Sequence, residues 1–167
     1  ATASAINAVN DALTSLAETV ETLSQGGGVH GLEVEEGTWT PYFYGTTVSG
    51  NNQYSRQLGR YIRIGKQVTA ILSLELSSKD PNMSGSLRIG GLPYAVKDVA
   101  YLPNAGSIAQ IKNITFGEGY IPGIFANDGH NFAVLSVIRN GQEPVSVSIG
   151  QLANDSFVRA TIIYLID

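Results

Sequence analysis

The chain has no cysteine, which excludes disulfides, thiolate metal sites and cysteine nucleophiles together. Charge is scarce: Asp, Glu, Lys and Arg make up 14% of 167 residues, against roughly 25% in an average soluble domain. With ten Lys and Arg and a formal net charge of -4, the chain lacks the clustered basic face that a phosphate backbone needs, so nucleic acid is not an expected partner. No apolar run approaches the roughly 20 residues that span a bilayer, and no membrane insertion is expected. Residues 1–25 also lack the basic start and apolar block of a signal peptide. Histidine is limited to His30 and His130, and no G-x-S-x-G motif supports a nucleophile beside either. Glu75, Asp80, Glu118, Asp128 and Asp155 show no spacing that singles out a carboxylate pair for glycoside hydrolysis. Neither enzyme activity nor a cofactor is expected.

What is present begins with a heptad. Ile6, Val9, Leu13, Leu16, Val20 and Leu23 recur at alternating steps of three and four, the seam of a coiled coil. With Ile6, Leu13 and Val20 as a positions, the e and g flanks are Ala5, Asn10, Ala12, Ala17, Thr19 and Ser24, none of them charged. Small neutral flanks widen the buried stripe and favour three helices over two. Asp11, Glu18 and Glu21 fall on outward positions. A helix this short is marginal in water without a partner, so the seam predicts a homotrimeric stalk over 1–25. The competing reading is an amphipathic helix lying on its own domain. Gly26–Gly28 open a glycine-rich linker over 26–36. Continuing the heptads through it places His30 at a d position, where three copies could hold a metal on an axis; a plain linker histidine is the simpler reading, and no metal is expected.

From Gly37 the period changes to two. Val68, Ala70, Leu72, Leu74 and Leu76 alternate with mostly polar neighbours, as in a strand with one buried face. FAVLSVIR and VRATIIYLI are apolar on both faces, and such strands need a second layer or a second subunit. Strands are expected at 38–44, 54–64, 67–77, 86–91, 95–101, 107–115, 121–126, 131–139, 145–150 and 156–166, separated by turn-rich segments such as SGNNQ and NDGHN. Short strands with no crossover helices predict an all-β, antiparallel, jelly-roll-like β-sandwich over 37–167. Counting alternate loops puts 45–53, 78–85, 102–106, 127–130 and 151–155 at the end away from the stalk. Gly65 with Lys66 reads as a two-residue hairpin turn.

The runs EEGTWTPYFYGTT, YSRQLGRYIRIGKQVTAILSLEL and SGSLRIGGLPY resemble the C-terminal domain of many bacteriophage tail fibre and receptor-binding proteins. The shared pattern falls on Gly37 to Pro41, on Gly59, Tyr61, Ile64, Gly65, Val68 and Thr69, and on Gly90 to Pro93, covering 37–94. The resemblance implies a parallel homotrimer at the distal end of a virion tail fibre, joined to an upstream shaft and binding a molecule of the host bacterial surface. Capsule-degrading tail proteins usually carry a long repetitive β-helix, and no such repeat is visible here.

A glycan receptor offers many hydroxyls, which suits amides and carboxylates on loops and aromatic faces beside them. The candidate receptor-binding residues are therefore Asn51, Asn52, Asn82, Asn104, Asn127, Asp128, His130 and Asn154, with Tyr54, Tyr101 and Tyr120 for stacking. For any one of them ordinary turn chemistry is the simpler reading, for NDGH above all, and only the group points to a receptor. The alternative function is a trimeric TNF/C1q-like extracellular module that binds protein or serves only for trimerisation. A protein ligand should leave an apolar groove, whereas a glycan should leave polar, aromatic-dotted hollows.

Overall fold

The computed structural model describes residues 3–25, 33–99 and 104–167. The chain divides into two compact units, Ala1–Val34 and Glu35–Asp167. In the first, helix α1 runs from Ala3–Gln25. The hydroxyls of Thr14, Thr19 and Thr22 donate to carbonyls four residues back, at 3.0, 2.8 and 2.8 Å, which occupies their polar groups without leaving the helix. Ile6, Val9, Leu13, Leu16 and Val20 are between 55% and 63% exposed; the side chain of Leu23 lies outside the described residues. Among the described residues no helix is long and apolar enough to cross a membrane.

The second unit is a sandwich of two antiparallel sheets, as the period of two predicts. Its strands are β1 (Val34–Trp39), β2 (Tyr42–Gly45), β3 (Gln53–Ile64), β4 (Gln67–Ser78), β5 (Leu87–Gly90), β6 (Gly106–Ile114), β7 (Ile121–Ala126), β8 (Phe132–Ile138), β9 (Val145–Ser146) and β10 (Leu152–Leu165). One sheet has the order β1-β3-β4-β10-β6 and the other β2-β5-β8-β7, with β9 paired to β8. Val68, Ala70, Leu72, Leu74 and Leu76 all point inward and are fully buried or nearly so, meeting Phe43, Leu87, Ile89 and Leu135 of the facing sheet in one core. Each buried Val, Leu, Ile or Phe side chain among them contributes roughly 1.5–3 kcal/mol relative to exposure. Trp39 belongs to that core, its ring nitrogen donating to the Arg60 carbonyl at 3.2 Å.

Three expected strands differ. The run 38–44 is two strands, because Pro41 has no N–H to offer a ladder and the chain crosses there from one sheet to the other. The expected strand 95–101 is irregular over 95–99: Val96 is buried and exchanges backbone bonds with the turn, donating to the His130 carbonyl at 2.7 Å and accepting from Gly129 at 3.1 Å. The run 145–150 leaves the ladder after Ser146 and closes in a short 3-10 turn, Ile149–Gln151. The hairpin at Gly65 is as expected, with φ 56° at the glycine and Ile64 paired to Gln67.

These differences rearrange the loops. Glu35 pairs with Arg63 at 3.1 Å, so β1 begins at the end of the sandwich that holds the β3–β4 turn. Ile166 donates to the Lys66 carbonyl and Ala126 to the Asn104 carbonyl, which brings 91–99, 104–105 and 127–131 to this same first end. The opposite end gathers 46–52, 79–86, 115–120 and 139–151, joined by bonds such as Thr115 to the Gln151 carbonyl at 2.9 Å. Among the described residues, 104–106 and 127–130 thus lie at one end of the sandwich and 46–52, 79–85 and 151–155 at the other, whereas the loop count expects them together.

Candidate functional site

The described candidate receptor-binding residues form two groups, whereas the loop count places the Asn, Asp and His candidates together at one end. Asn51, Asn52, Tyr54, Asn82, Tyr120 and Asn154 lie at the opposite end, whereas Asn104, Asn127, Asp128 and His130 lie at the first end. Tyr101 and His30 fall outside the described residues.

Several residues of the opposite end are staples of their own loops. Asp80 accepts backbone bonds from Asn51 at 2.7 Å and Asn82 at 2.8 Å, and these N–H groups, that of Asn82 first, hold its carboxyl below the usual carboxylate range. Asn52 accepts from the Asp80 N–H at 2.9 Å and donates to the Phe43 carbonyl at 3.0 Å. The Tyr54 hydroxyl accepts from the Phe43 N–H at 2.9 Å, and burial raises its pKa. Asn154 accepts from the Lys79 N–H at 2.9 Å. Tyr120 donates to the Gln142 side chain at 2.9 Å beneath the Arg139 guanidinium.

The first end holds a more open arrangement. The isolated bridge between Ala105 and Phe125 brings the start of β6 against β7. Beside it lies a hollow of about 500 Å³, with Asn104, Asn127 and Asp128 at one end and Gly123, Phe125, Ser136 and Ile138 along its floor and wall. Asn104 is 6% exposed, and its side chain donates to Asp128 Oδ1 at 2.5 Å. The 127–130 turn is set by Gly129 at φ 70°. Asn127 Nδ2 lies 2.9 Å from His130 Nδ1, which is also 2.6 Å from the Asp128 carbonyl. The carboxylate and the imidazole are thus oriented by neighbours, suiting them to present hydrogen-bonding groups to a ligand. Phe125, 37% exposed, supplies an aromatic wall that the sequence reading missed. Its only signal was alternation, since Ile124 and Ala126 on either side face the core.

A larger hollow, about 770 Å³, lies on the outer face of the β1-β3-β4-β10-β6 sheet, lined by Leu58, Arg60, Ile71, Arg159 and Thr161 among others. Around it Leu58, Ile62, Ile64, Ile71, Ile163 and Leu165 are between 38% and 63% exposed. Ile163 and Leu165, outward beyond the polar Arg159 and Thr161, explain the doubly apolar reading of β10. That of β8 has a different cause: Val134 on its outer face is flanked in register by Arg88 and Phe125 of the same chain and is buried. The larger hollow sets Leu58 and Ile71 among Arg60, Arg159 and small polar side chains, a mixture that suits a protein surface; the smaller one gathers Asn104, Asn127 and Asp128, groups that recognise a small polar ligand.

No family model matches the chain, and no curated protein matches it by sequence. Among solved structures, the Dettilon tailspike protein is similar in fold, with a TM-score of 0.63 at 19% identity over 79% of this chain and 23% of that one. This chain therefore spans less than a quarter of that protein's length.

Proposed function

We propose that the chain is a receptor-binding part of a phage tail fibre or tailspike, at the distal end of the virion tail. It acts as a homotrimer that holds a glycan of the bacterial surface without cleaving it. The observation that carries this reading is the set of exposed aliphatic side chains Leu58, Ile62, Ile71 and Ile163, interleaved with Arg60, Thr69 and Arg159 on the outer face of one sheet. Surface of this kind favours association with another protein surface, and the exposed seam of α1 supplies an independent signal that the other surface is a second and third copy. The sequence resemblance over 37–94 and the fold likeness to a tailspike protein support the virion setting, in which an upstream shaft would carry the chain. The committed hydrogen bonds of Asp128 and His130 favour binding over proton transfer. Three copies would convert weak single sites into durable attachment.

The first test is the absolute mass in solution of the intact chain, of a variant lacking 1–25, and of the double variant Leu58→Asp, Ile71→Asp. A mass of three chains, lowered by the double variant, supports the reading; a monomer overturns it. Adsorption of labelled trimer to bacterial cells, with polysaccharide recovered at unchanged length, then tests receptor binding and the lack of cleavage. A second reading, the trimeric TNF/C1q-like module that binds protein, is favoured by the aliphatic hollow. It requires that hollow to remain open in the trimer, which protection of Leu58 and Ile71 from solvent exchange in the intact assembly would oppose.

A further inference from the structure

The two outer faces of the sandwich have different chemistry. Where the β1-β3-β4-β10-β6 sheet turns outward aliphatic side chains mixed with Arg60, Arg159 and small polar groups, the β2-β5-β8-β7 sheet turns out rings. Tyr42 and Tyr44 flank the buried Phe43, and Arg88 lies between the buried Leu87 and Ile89. The register aligns Tyr42 with Gly90 and Phe132, and Tyr44 with Arg88, Val134 and Phe125. One row thus crosses from β2 to β7 and ends on the wall of the 500 Å³ hollow.

Gly90 is what allows the first ring to settle. A Cβ at that position would come within 2.4 Å of Tyr42 Cζ, so the ring rests on the glycine backbone and is 42% exposed. Its centroid is 5.7 Å from that of Tyr44, which meets Phe132 edge-on at 6.2 Å. The Arg88 guanidinium lies 5.5 Å from the Phe132 centroid, and the His130 ring is 4.9 Å away on the turn that carries Asn127 and Asp128. Rings that brace one another lose little freedom on binding, which is the property that makes tyrosine an effective contact residue.

We infer that this aromatic face, running from Tyr42 across Phe132 to Phe125 and the Asn104–Asp128 pair, is the saccharide-binding surface. A pyranose presents an apolar C–H face and a rim of hydroxyls. The C–H face lies on Tyr42 or Phe125, and the hydroxyls reach Asp128, Asn127 and the Arg88 guanidinium. A phosphate-rich polymer is opposed by the Asp128 carboxylate and the net charge of -4. A protein surface is better matched by the aliphatic sheet. This assignment rests on the receptor-binding reading and narrows it to one face and one ligand class.

The test uses the full-length chain on an array of oligosaccharides built from hexoses, N-acetylhexosamines and uronic acids, with Tyr42→Ala, Phe125→Ala, Tyr42→Phe and, at the opposite end, Asn82→Ala. The expected result is retention by the intact chain, loss of about ten-fold or more in Tyr42→Ala and Phe125→Ala, and little change in Tyr42→Phe and Asn82→Ala. Phe125→Ala keeps the test independent of any folding defect at Tyr42. Intact binding to the array that depends on Asn82 and not on the two rings overturns this surface while leaving the receptor reading in place. Binding to cells but to no saccharide overturns this surface and the glycan part of the receptor reading while leaving attachment in place, and binding to neither overturns both. A fall in assembly mass in Phe125→Ala reassigns the face to an interface between copies and also overturns the inference.

Discussion

The Tyr94 hydroxyl donates to the Glu35 carboxylate at 2.7 Å, tying the first residues of β1 to the loop that follows β5. Tyr61 donates to the same carboxylate at 2.6 Å, and Arg63 adds an ion pair at 3.1 Å. These partners, Tyr61 first and Tyr94 second, hold the Glu35 pKa below its ordinary value, while the carboxylate raises that of the Tyr61 phenol. A carboxyl whose pKa is depressed by folding contributes stability that is full above its unfolded pKa and is lost as pH falls through the folded one. Thermal melts of the wild type and Glu35→Gln between about pH 7 and about pH 3 should therefore show a deficit in the variant near neutrality that closes in acid. A deficit independent of pH would assign the effect to packing instead.

The Asn52 side chain joins three segments by accepting from Asp80 and donating to Phe43. Replacing it with alanine leaves the Phe43 carbonyl and the Asp80 N–H without these bonds, at a cost of about 1–3 kcal/mol. Denaturant unfolding of Asn52→Ala should show this loss with the assembly mass unchanged.

Gly59 and Gly123 give contrasting outcomes with the same substitution. A Cβ at Gly59 would sit 2.5 Å from the Trp39 carbonyl oxygen and 2.7 Å from its ring, a clash with backbone that a well-packed core relieves at about 1–3 kcal/mol. At Gly123 the nearest atom is Ser136 Oγ at 3.7 Å, ordinary contact. Gly59→Ala should melt lower and Gly123→Ala should match the wild type; equal melting of the two would refute the packing at Trp39.

The α1 seam predicts a helix that depends on assembly, since an isolated helix of this length is marginal. Leu13→Lys with Leu16→Lys should remove helical ellipticity while sparing the β signal. Dilution of the wild type should do so partially. Helicity unchanged by both would show that α1 is stabilised without self-association.

What was legible in the sequence was whatever rests on a local period. The inward run from Val68 to Leu76 and the Gly65 turn sit where alternation and turn chemistry put them, and with them the sandwich class. What was not legible depended on partners distant along the chain. Val96 looks like a strand residue, but its backbone bonds go to His130 and Gly129, which no local pattern announces. That one segment set 127–130 and the described 104–106 apart from the other candidate loops and so scattered the candidate site. The aromatic face was hidden for a related reason: Tyr42, Gly90 and Phe132 are neighbours only through cross-strand register.

The passage of the chain from β1 in one sheet to β2 in the other also has a mechanical meaning. A pull on the chain ahead of Val34, directed along the strand, would load the hydrogen bonds between β1 and β3 in shear, so that they resist together and not one after another. The Glu35 clasp would bear that load first, and the crossover at Pro41 would pass what remains to the second sheet. Were the chain tethered at one side and attached at the other, as the proposed function requires, the same residues that fix its fold would set the tension at which it lets go.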